Sequence, residues 1–434
     1  MNPKDKVALV PKKLILPFVL VTSLFALWGF ANAVTDPMVQ AFKKVLELTN
    51  SQAAWVQMAF YGGYFCMALP AALFVRKFSY KFGIIIGLSL YSLGALLFYP
   101  AATTGLFWFF CLGLYVLTFG LAFLETTANP YILSMGDHTT ATRRLNLAQA
   151  FNPVGLIAGL LVAKFFVLDL LQSDDIQNFS VLPEAQKTII KTSDLMVIRN
   201  PYVILGIVVL LVLILITVSK MPQARGDGKI PPLATTFAQL FKNNVYYLGV
   251  FALVLYMGSQ IMTWTYIYQY AESKGISSNV AANYQLAAFI LFTVGRAVGT
   301  YLLKFINSGR LLFYFAALGA IFTLGAVLST GTLGLYFLVG VSFFLSIMFP
   351  TIYGIALNNL TEDQAKIGAA GLVMAIVGGA LLPQFQGMII DWGGVGVNDI
   401  NILGVSEMNI SFVLSAICFI AVATYGAWVY KKVV

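Results

Sequence analysis

Leu124-Glu125-Thr126-Thr127-Ala128-Asn129-Pro130 places a carboxylate, an amide and a proline inside an apolar run that begins near Leu106 and continues to about Met135. A run of that length and composition reads as a helix crossing a bilayer. A carboxylate at the middle of such a helix costs about 2.5–3.5 kcal/mol on insertion scales. Chains retain that cost where the acid faces a protein interior or a water-filled cavity. Asp36, in the first apolar run, is its companion acid. The rest of the chain reads as the frame that holds the two acids near a substrate.

Working outward, the same pattern recurs along all 434 residues, of which 59% are hydrophobic and 10% charged. Soluble domains carry roughly 25% charged residues, so the class is an all-α polytopic membrane protein. Twelve apolar spans are expected near 14–41, 52–75, 83–101, 106–135, 145–171, 200–219, 244–271, 278–305, 310–329, 332–358, 364–390 and 408–430. The first follows Lys4, Lys6, Lys12 and Lys13. It is too long for a signal peptide and ends in no small-residue cleavage site, so it reads as a retained span.

The net charge of +9 is distributed as a topology signal. Basic residues gather at the N-terminus, after span 2 (Arg76, Lys77, Lys81), after span 4 (Arg143, Arg144) and in the middle segment (Lys220, Arg225, Lys229, Lys242). Lys304, Arg310, Lys366, Lys431 and Lys432 complete the set. That side is cytoplasmic by the positive-inside bias, and both termini lie there. No basic cluster sits on a soluble face, so a nucleic-acid partner is not expected.

Residues 220–243, with Gly226, Gly228, Pro231 and Pro232, read as a cytoplasmic linker. It divides an N-terminal six-helix bundle, 1–219, from a C-terminal one, 244–434. Residues 172–199 read as an outer connection. The halves echo each other: Arg76-Lys77-Phe78 follows span 2 and Lys304-Phe305 follows span 8. Asn129-Pro130 is expected to break span 4, and Phe349-Pro350 to break span 10. Interruptions at matching places in two halves point to a central site.

Several chemistries are excluded. Cys66, Cys111 and Cys418 fall inside spans and show no disulfide or metal spacing, and His138 is the only histidine. No Gly-x4-Gly-Lys-Ser/Thr loop is present. The connections are too short for the catalytic loop of a polytopic membrane enzyme, which leaves that reading remote.

Asn32 and Asp36 are four apart and share a helix face. Asp36 reads either as an interfacial acid before Pro37 or as a buried acid able to take up and release a proton. Glu125, deep in span 4 with Asn129 one turn later, reads as functional; the bland alternative is an acid tied to a neighbouring helix. Gln149 and Asn152 share a face in span 5, as helix glue or as partners of a polar ligand. In span 7, Gln260 and Trp264 suit a sugar, with the ring stacking on C–H faces and the amide taking hydroxyls. Tyr270 reads as part of an interfacial belt. Span 8 adds Asn283 and Arg296, and an intramembrane arginine calls for a cavity or a carboxylate partner.

The residues just quoted, with Arg144-Leu145-Asn146-Leu147-Ala148-Gln149-Ala150-Phe151-Asn152, Ala59-Phe60-Tyr61-Gly62-Gly63-Tyr64-Phe65, Trp264-Thr265-Tyr266, Ala281-Ala282-Asn283-Tyr284 and Gly295-Arg296, carry a resemblance. Over nearly its whole length the chain resembles the fucose permease branch of the major facilitator superfamily, the fucose–galactose–glucose:proton symporters. The resemblance implies a twelve-helix rocker-switch fold in the cell inner membrane and proton-coupled hexose uptake, with L-fucose the leading candidate. It implies that Asp36 and Glu125 link proton to sugar and that Gln149 and Asn152 line the sugar site. Asn32, Glu125 itself, Asn129, Gln260, Trp264 and Asn283 are the further candidate sugar contacts. Ala33 and Phe349 depart from the family pattern, which has asparagine and tyrosine there. Relatives carry glucose, galactose or N-acetylglucosamine, and some look sodium-coupled. Sodium-driven uptake of such a sugar is therefore the alternative. No cofactor is expected beyond the coupling ion, H+ or Na+, and the expected working form is a monomer.

Overall fold

The computed structural model describes residues 8–46, 50–174, 182–221, 232–276, 278–358, 360–393, 400–402 and 404–433. Among them are twelve helical spans long and apolar enough to cross a bilayer. Spans 1 to 6 are Lys12–Thr35, Ala59–Lys77, Tyr80–Thr104, Phe107–Ser134, His138–Phe166 and Glu184–Val218. Spans 7 to 12 are Asn244–Thr265, Val280–Leu302, Ser308–Leu328, Leu333–Leu357, Glu362–Ile390 and Glu407–Lys432. The helix that contains span 1 continues to Val45 and so carries Asp36, whose side chain lies outside the described residues. Large apolar side chains such as Leu16, Phe82, Trp108, Ile204 and Leu211 are exposed on the outside, as a lipid-facing surface requires.

The two halves repeat the same packing. Spans 1 and 5, 2 and 4, and 3 and 6 pack together, as do spans 7 and 11, 8 and 10, and 9 and 12. At the crossing of spans 1 and 5, a Cβ on Gly155 would lie 1.9 Å from the Ala26 carbonyl oxygen. At the matching crossing of spans 7 and 11, a Cβ on Gly378 would lie 2.1 Å from the Val254 oxygen. Only glycine lets the backbones approach so closely, which is how membrane helices gain packing without a hydrophobic driving force.

Four expectations need correction. Span 4 is not broken: its helix runs Phe107–Ser134 with Pro130 inside it. One missing N–H is tolerated where the surrounding turns and neighbouring helices hold the segment. In span 10 the interruption does occur, at Ser346 and Ile347, just ahead of Pro350. Second, span 6 begins at Glu184, well before position 200, because the polar stretch ahead of it continues the same helix. Buried Asp194 accepts hydrogen bonds from the Gln172 and Ser173 amides, 2.9 and 3.0 Å, and so folds the outer connection onto that helix. Third, Arg144 is no loop charge. It is fully buried and donates to the carbonyls of Ile132 (2.8 Å) and Leu133 (2.5 Å), capping the C-terminus of span 4. Fourth, the linker contains a helix: Leu233–Lys242 is amphipathic, with Thr236 and Leu240 buried. Positions 222–231, including Gly226, Gly228 and Pro231, lie outside the described residues.

The halves are tied together at the end read as cytoplasmic and again farther along the helices. Arg76, ending span 2, grips Asp363, opening span 11, through two bonds of 2.6 and 2.9 Å. The linker helix joins this pair, since the Thr236 hydroxyl bonds the same Asp363 carboxylate at 3.0 Å. Gln364 Nε2 reaches Gln239 Oε1 at 2.8 Å. Farther in, Asn146 donates to Thr351 at 3.2 Å. Asp363→Asn keeps the shape and removes the charge. A charge-assisted hydrogen bond is worth about 1.5–3 kcal/mol, so the variant is expected to open toward the cytoplasm more often by that amount. Spin-label distances between the inner ends of spans 2 and 11 measure it, and an unchanged distribution would refute the latch.

Candidate functional site

A cavity of about 140 Å³ lies between the halves, with walls from spans 1, 2, 4, 5, 7, 8, 10 and 11. Four of these spans are interrupted beside it. Span 5 pauses at Ala150 and Phe151, between its helices Ala141–Gln149 and Asn152–Phe166. Span 7 pauses at Tyr266, span 10 at Ser346 and Ile347, and span 11 tightens at Ala375–Val377. Irregular backbone at membrane depth is tolerated where it borders a cavity, because its free polar groups find partners there.

Pro153 shows how this works. It has no N–H, so the carbonyl of Gln149, four residues back, loses its helical partner. Arg296 Nη1 takes that oxygen at 3.1 Å, across the two halves. Arg296 is 3% exposed, its guanidinium lies 5.0 Å from the Phe292 ring, and it lines the cavity. The sequence called for a cavity or a carboxylate beside it. The structure supplies the cavity and a backbone oxygen; among the described residues no carboxylate lies within ion-pair distance.

Most of the candidate residues converge. Asn32, Glu125, Gln149, Asn152, Gln260 and Trp264 all border the cavity. Gln149 Nε2 donates to Asn129 Oδ1 at 2.9 Å, and Asn152 Nδ2 to the Phe25 carbonyl at 3.3 Å. Trp264 is fixed by Nε1 on Ser342 Oγ at 3.2 Å and by the edges of Phe289 and Phe292, with ring centroids 4.9 and 5.2 Å away. Glu125 is 2% exposed, and its Oε2 has no hydrogen-bond partner.

Two candidates fall elsewhere. Asn129 is fully buried behind the wall and holds Gln149 in place. Asn283 is exposed and lies away from the cavity, near the start of span 8. Tyr270, read as an interfacial aromatic, is fully buried, its hydroxyl donating to the Ala326 carbonyl at 2.9 Å. Sequence reasoning passed over Trp28 and Tyr64, which meet on the cavity wall through Trp28 Nε1 and the Tyr64 hydroxyl at 2.6 Å. The spacing of Trp28 and Asn32 on one helix face was the available signal. Ala33 and Phe349 also line the cavity, so both departures from the family pattern fall where a ligand would sit.

Amides, one carboxylate and one guanidinium set among aromatic faces make a site for a polar, hydroxyl-rich molecule with apolar C–H faces. The Major Facilitator Superfamily family model matches residues 18–383. The chain is 51% identical to an L-fucose-proton symporter of Haemophilus influenzae, with all of both chains aligned. It is 36% identical to an L-fucose-proton symporter of Escherichia coli, over 90% of each. Its fold is similar to the crystal structure of the transporter FucP in the outward conformation, with a TM-score of 0.86, 32% identity, and 96% of this chain and 99% of that one covered. Twelve spans in two repeated bundles, a cavity between them and these likenesses lead to one placement: the chain belongs to the Major Facilitator Superfamily, as a multi-pass sugar transporter of the inner membrane.

Proposed function

We propose that the protein carries L-fucose into the cell together with a proton. One observation carries the reading: a buried carboxyl, Glu125, on the wall of an amide- and aromatic-lined cavity between the halves. The names of its relatives in Haemophilus influenzae and Escherichia coli support both the sugar and the ion. Asn32, Gln149, Asn152 and Gln260 take sugar hydroxyls, and Trp264 stacks on the C–H face of the ring. Asn129 orients Gln149, and Asn283 is assigned no sugar contact. Glu125 and Asp36 take and release the proton.

Segments 1–219 and 244–434 rock about the cavity, with 220–243 as tether. The latch at Arg76 and Asp363 closes the cytoplasmic side while the sugar enters from outside. Each charge moved inward draws roughly 2.3 kcal/mol per 100 mV of membrane potential.

In sodium-free proteoliposomes, an imposed inward proton gradient is expected to drive L-fucose accumulation. Unlabelled L-fucose is expected to outcompete D-glucose, D-galactose and N-acetylglucosamine in counterflow. Accumulation that needs a sodium gradient at equal pH, or a different preferred hexose, would overturn the reading.

A further inference from the structure

The two helices of span 5 answer to different partners. The outer one, Asn152–Phe166, is locked to span 1 of its own half, where a Cβ on Gly29 would lie 2.1 Å from the Asn152 carbonyl oxygen. The inner one, Ala141–Gln149, packs against Met348–Leu357, the inner helix of span 10 in the other half. Gln149 is the last residue of that inner helix, and it is held at both ends. Its side-chain Nε2 donates to Asn129 Oδ1 of the same half at 2.9 Å. Its carbonyl oxygen, which Pro153 cannot serve, accepts from Arg296 Nη1 of the other half at 3.1 Å. Gln149 and Arg296 both border the cavity. Arg296 moves with its own half, because a Cβ on the adjacent Gly295 would lie 2.4 Å from the Phe343 oxygen of span 10. A buried guanidinium is costly, and a hydrogen bond that it donates is roughly twice as strong as a neutral one.

We propose that Arg296 is a positioning residue for sugar binding. By holding the Gln149 carbonyl across the two halves it aims the Gln149 side chain at the sugar while the cytoplasmic side is closed, and by letting go it loosens the site when that side opens. The bond lies about one turn from Asn146, which donates to Thr351, and about two turns from Thr142, which meets Gly354. Opening at those contacts of spans 5 and 10 draws Gln149 away from Arg296. The carbonyl then has no donor from its own helix, the helix end frays, and the amide loses its fixed direction. Affinity is therefore higher toward the outside than toward the cytoplasm, which favours release of the sugar inside.

This role rests on the sugar contact given to Gln149 above, and the test separates the two. Arg296→Met is expected to weaken L-fucose binding to the purified full-length protein about tenfold, the effect of losing one charge-assisted hydrogen bond. Arg296→Lys, which keeps a donor, should lie between wild type and Arg296→Met. Pro153→Ala returns the missing N–H, so Gln149 no longer depends on the other half. In that background Arg296→Met should cost about twofold or less. A guanidinium that touched the sugar directly, or served only as a charge, would lose the same factor in both backgrounds. Equal losses, or wild-type binding by Arg296→Met, would overturn the role. If Arg296→Met does not fold, Arg296→Lys in the two backgrounds decides in the same way. Sidedness gives a second readout. In oriented proteoliposomes L-fucose should half-saturate at a lower concentration at the outer face than at the inner, and Pro153→Ala should narrow that gap; an unchanged gap refutes the release step. If Gln149→Ala binds L-fucose like the wild type, the contact given to Gln149 fails, and the role of Arg296 with it. If Gln149→Ala loses binding while Arg296 and Pro153 show no coupling, the contact stands and only the role of Arg296 is refuted.

Discussion

Proteoliposomes carrying Glu125→Gln are expected to exchange labelled L-fucose across the membrane yet fail to concentrate it against an imposed pH gradient. Glutamine matches glutamate in size and keeps an acceptor oxygen toward the cavity, so the contacts that recognise a sugar survive. What it cannot do is gain or lose a proton. Glu125 is 2% exposed, its Oε2 is unpartnered, and among the described residues no cation lies within ion-pair distance. Under the proposed coupling role, each cycle places a charge at a depth where it costs several kcal/mol, and the proton that cancels it ties the cycle to the gradient. With one proton per sugar, each unit of pH gradient supports about a tenfold concentration ratio, since 1.36 kcal/mol is one pH unit and one decade. In Glu125→Gln that ratio is expected to collapse to one, while exchange stays within a fewfold of wild type and loses its pH dependence. Uphill accumulation retained by the variant would remove Glu125 from the coupling step.

The sequence could announce Glu125 because a bilayer makes a lone acid conspicuous. It announced the twelve spans for the same reason, since hydrocarbon admits few alternatives to long apolar helices. Gln149 and Asn152 were legible as neighbours through their spacing, and Gln260 and Trp264 through the pairing of amide and ring. Other features hid in what is ordinary for a membrane helix. Among 35 Phe, 21 Tyr and 6 Trp, only the spacing of Trp28 from Asn32 hinted at the cavity wall, and its partner Tyr64 comes from another span. Arg296 was visible as a buried cation, but its partner is a backbone oxygen that Pro153 sets free on another span. Arg144 looked like a topology charge because its role as a cap depends on where span 4 ends. The helix Leu233–Lys242 was readable from Leu233, Phe237 and Leu240, yet the flanking prolines and glycines drew attention to the break instead.

Gly354→Trp is expected to abolish uptake by a different route, by holding the protein open to the cytoplasm. Gly354 lies on the inner half of span 10, where a Cβ would stand 2.8 Å from Thr142 Oγ1 and 3.1 Å from Thr142 Cα on span 5. The two halves close on the cytoplasmic side only because nothing projects there. Adding even a few methylenes to a packed contact costs about 1–3 kcal/mol, and an indole cannot be accommodated by shifting one threonine. Moving a two-state equilibrium from 99:1 to 1:99 takes about 5.5 kcal/mol, well within what such a wedge imposes. Because separating the halves relieves the clash without disturbing either six-helix bundle, the variant should stay folded and bind L-fucose while losing both uptake and exchange. A cysteine at Asn146, in a background without Cys66, Cys111 and Cys418, should become accessible to a water-soluble maleimide from the cytoplasmic face. Gly354→Ala, which needs only a small displacement of Thr142, should lie between wild type and Gly354→Trp in both measurements. Wild-type uptake by Gly354→Trp would mean that closure at spans 5 and 10 is not required for the transport cycle.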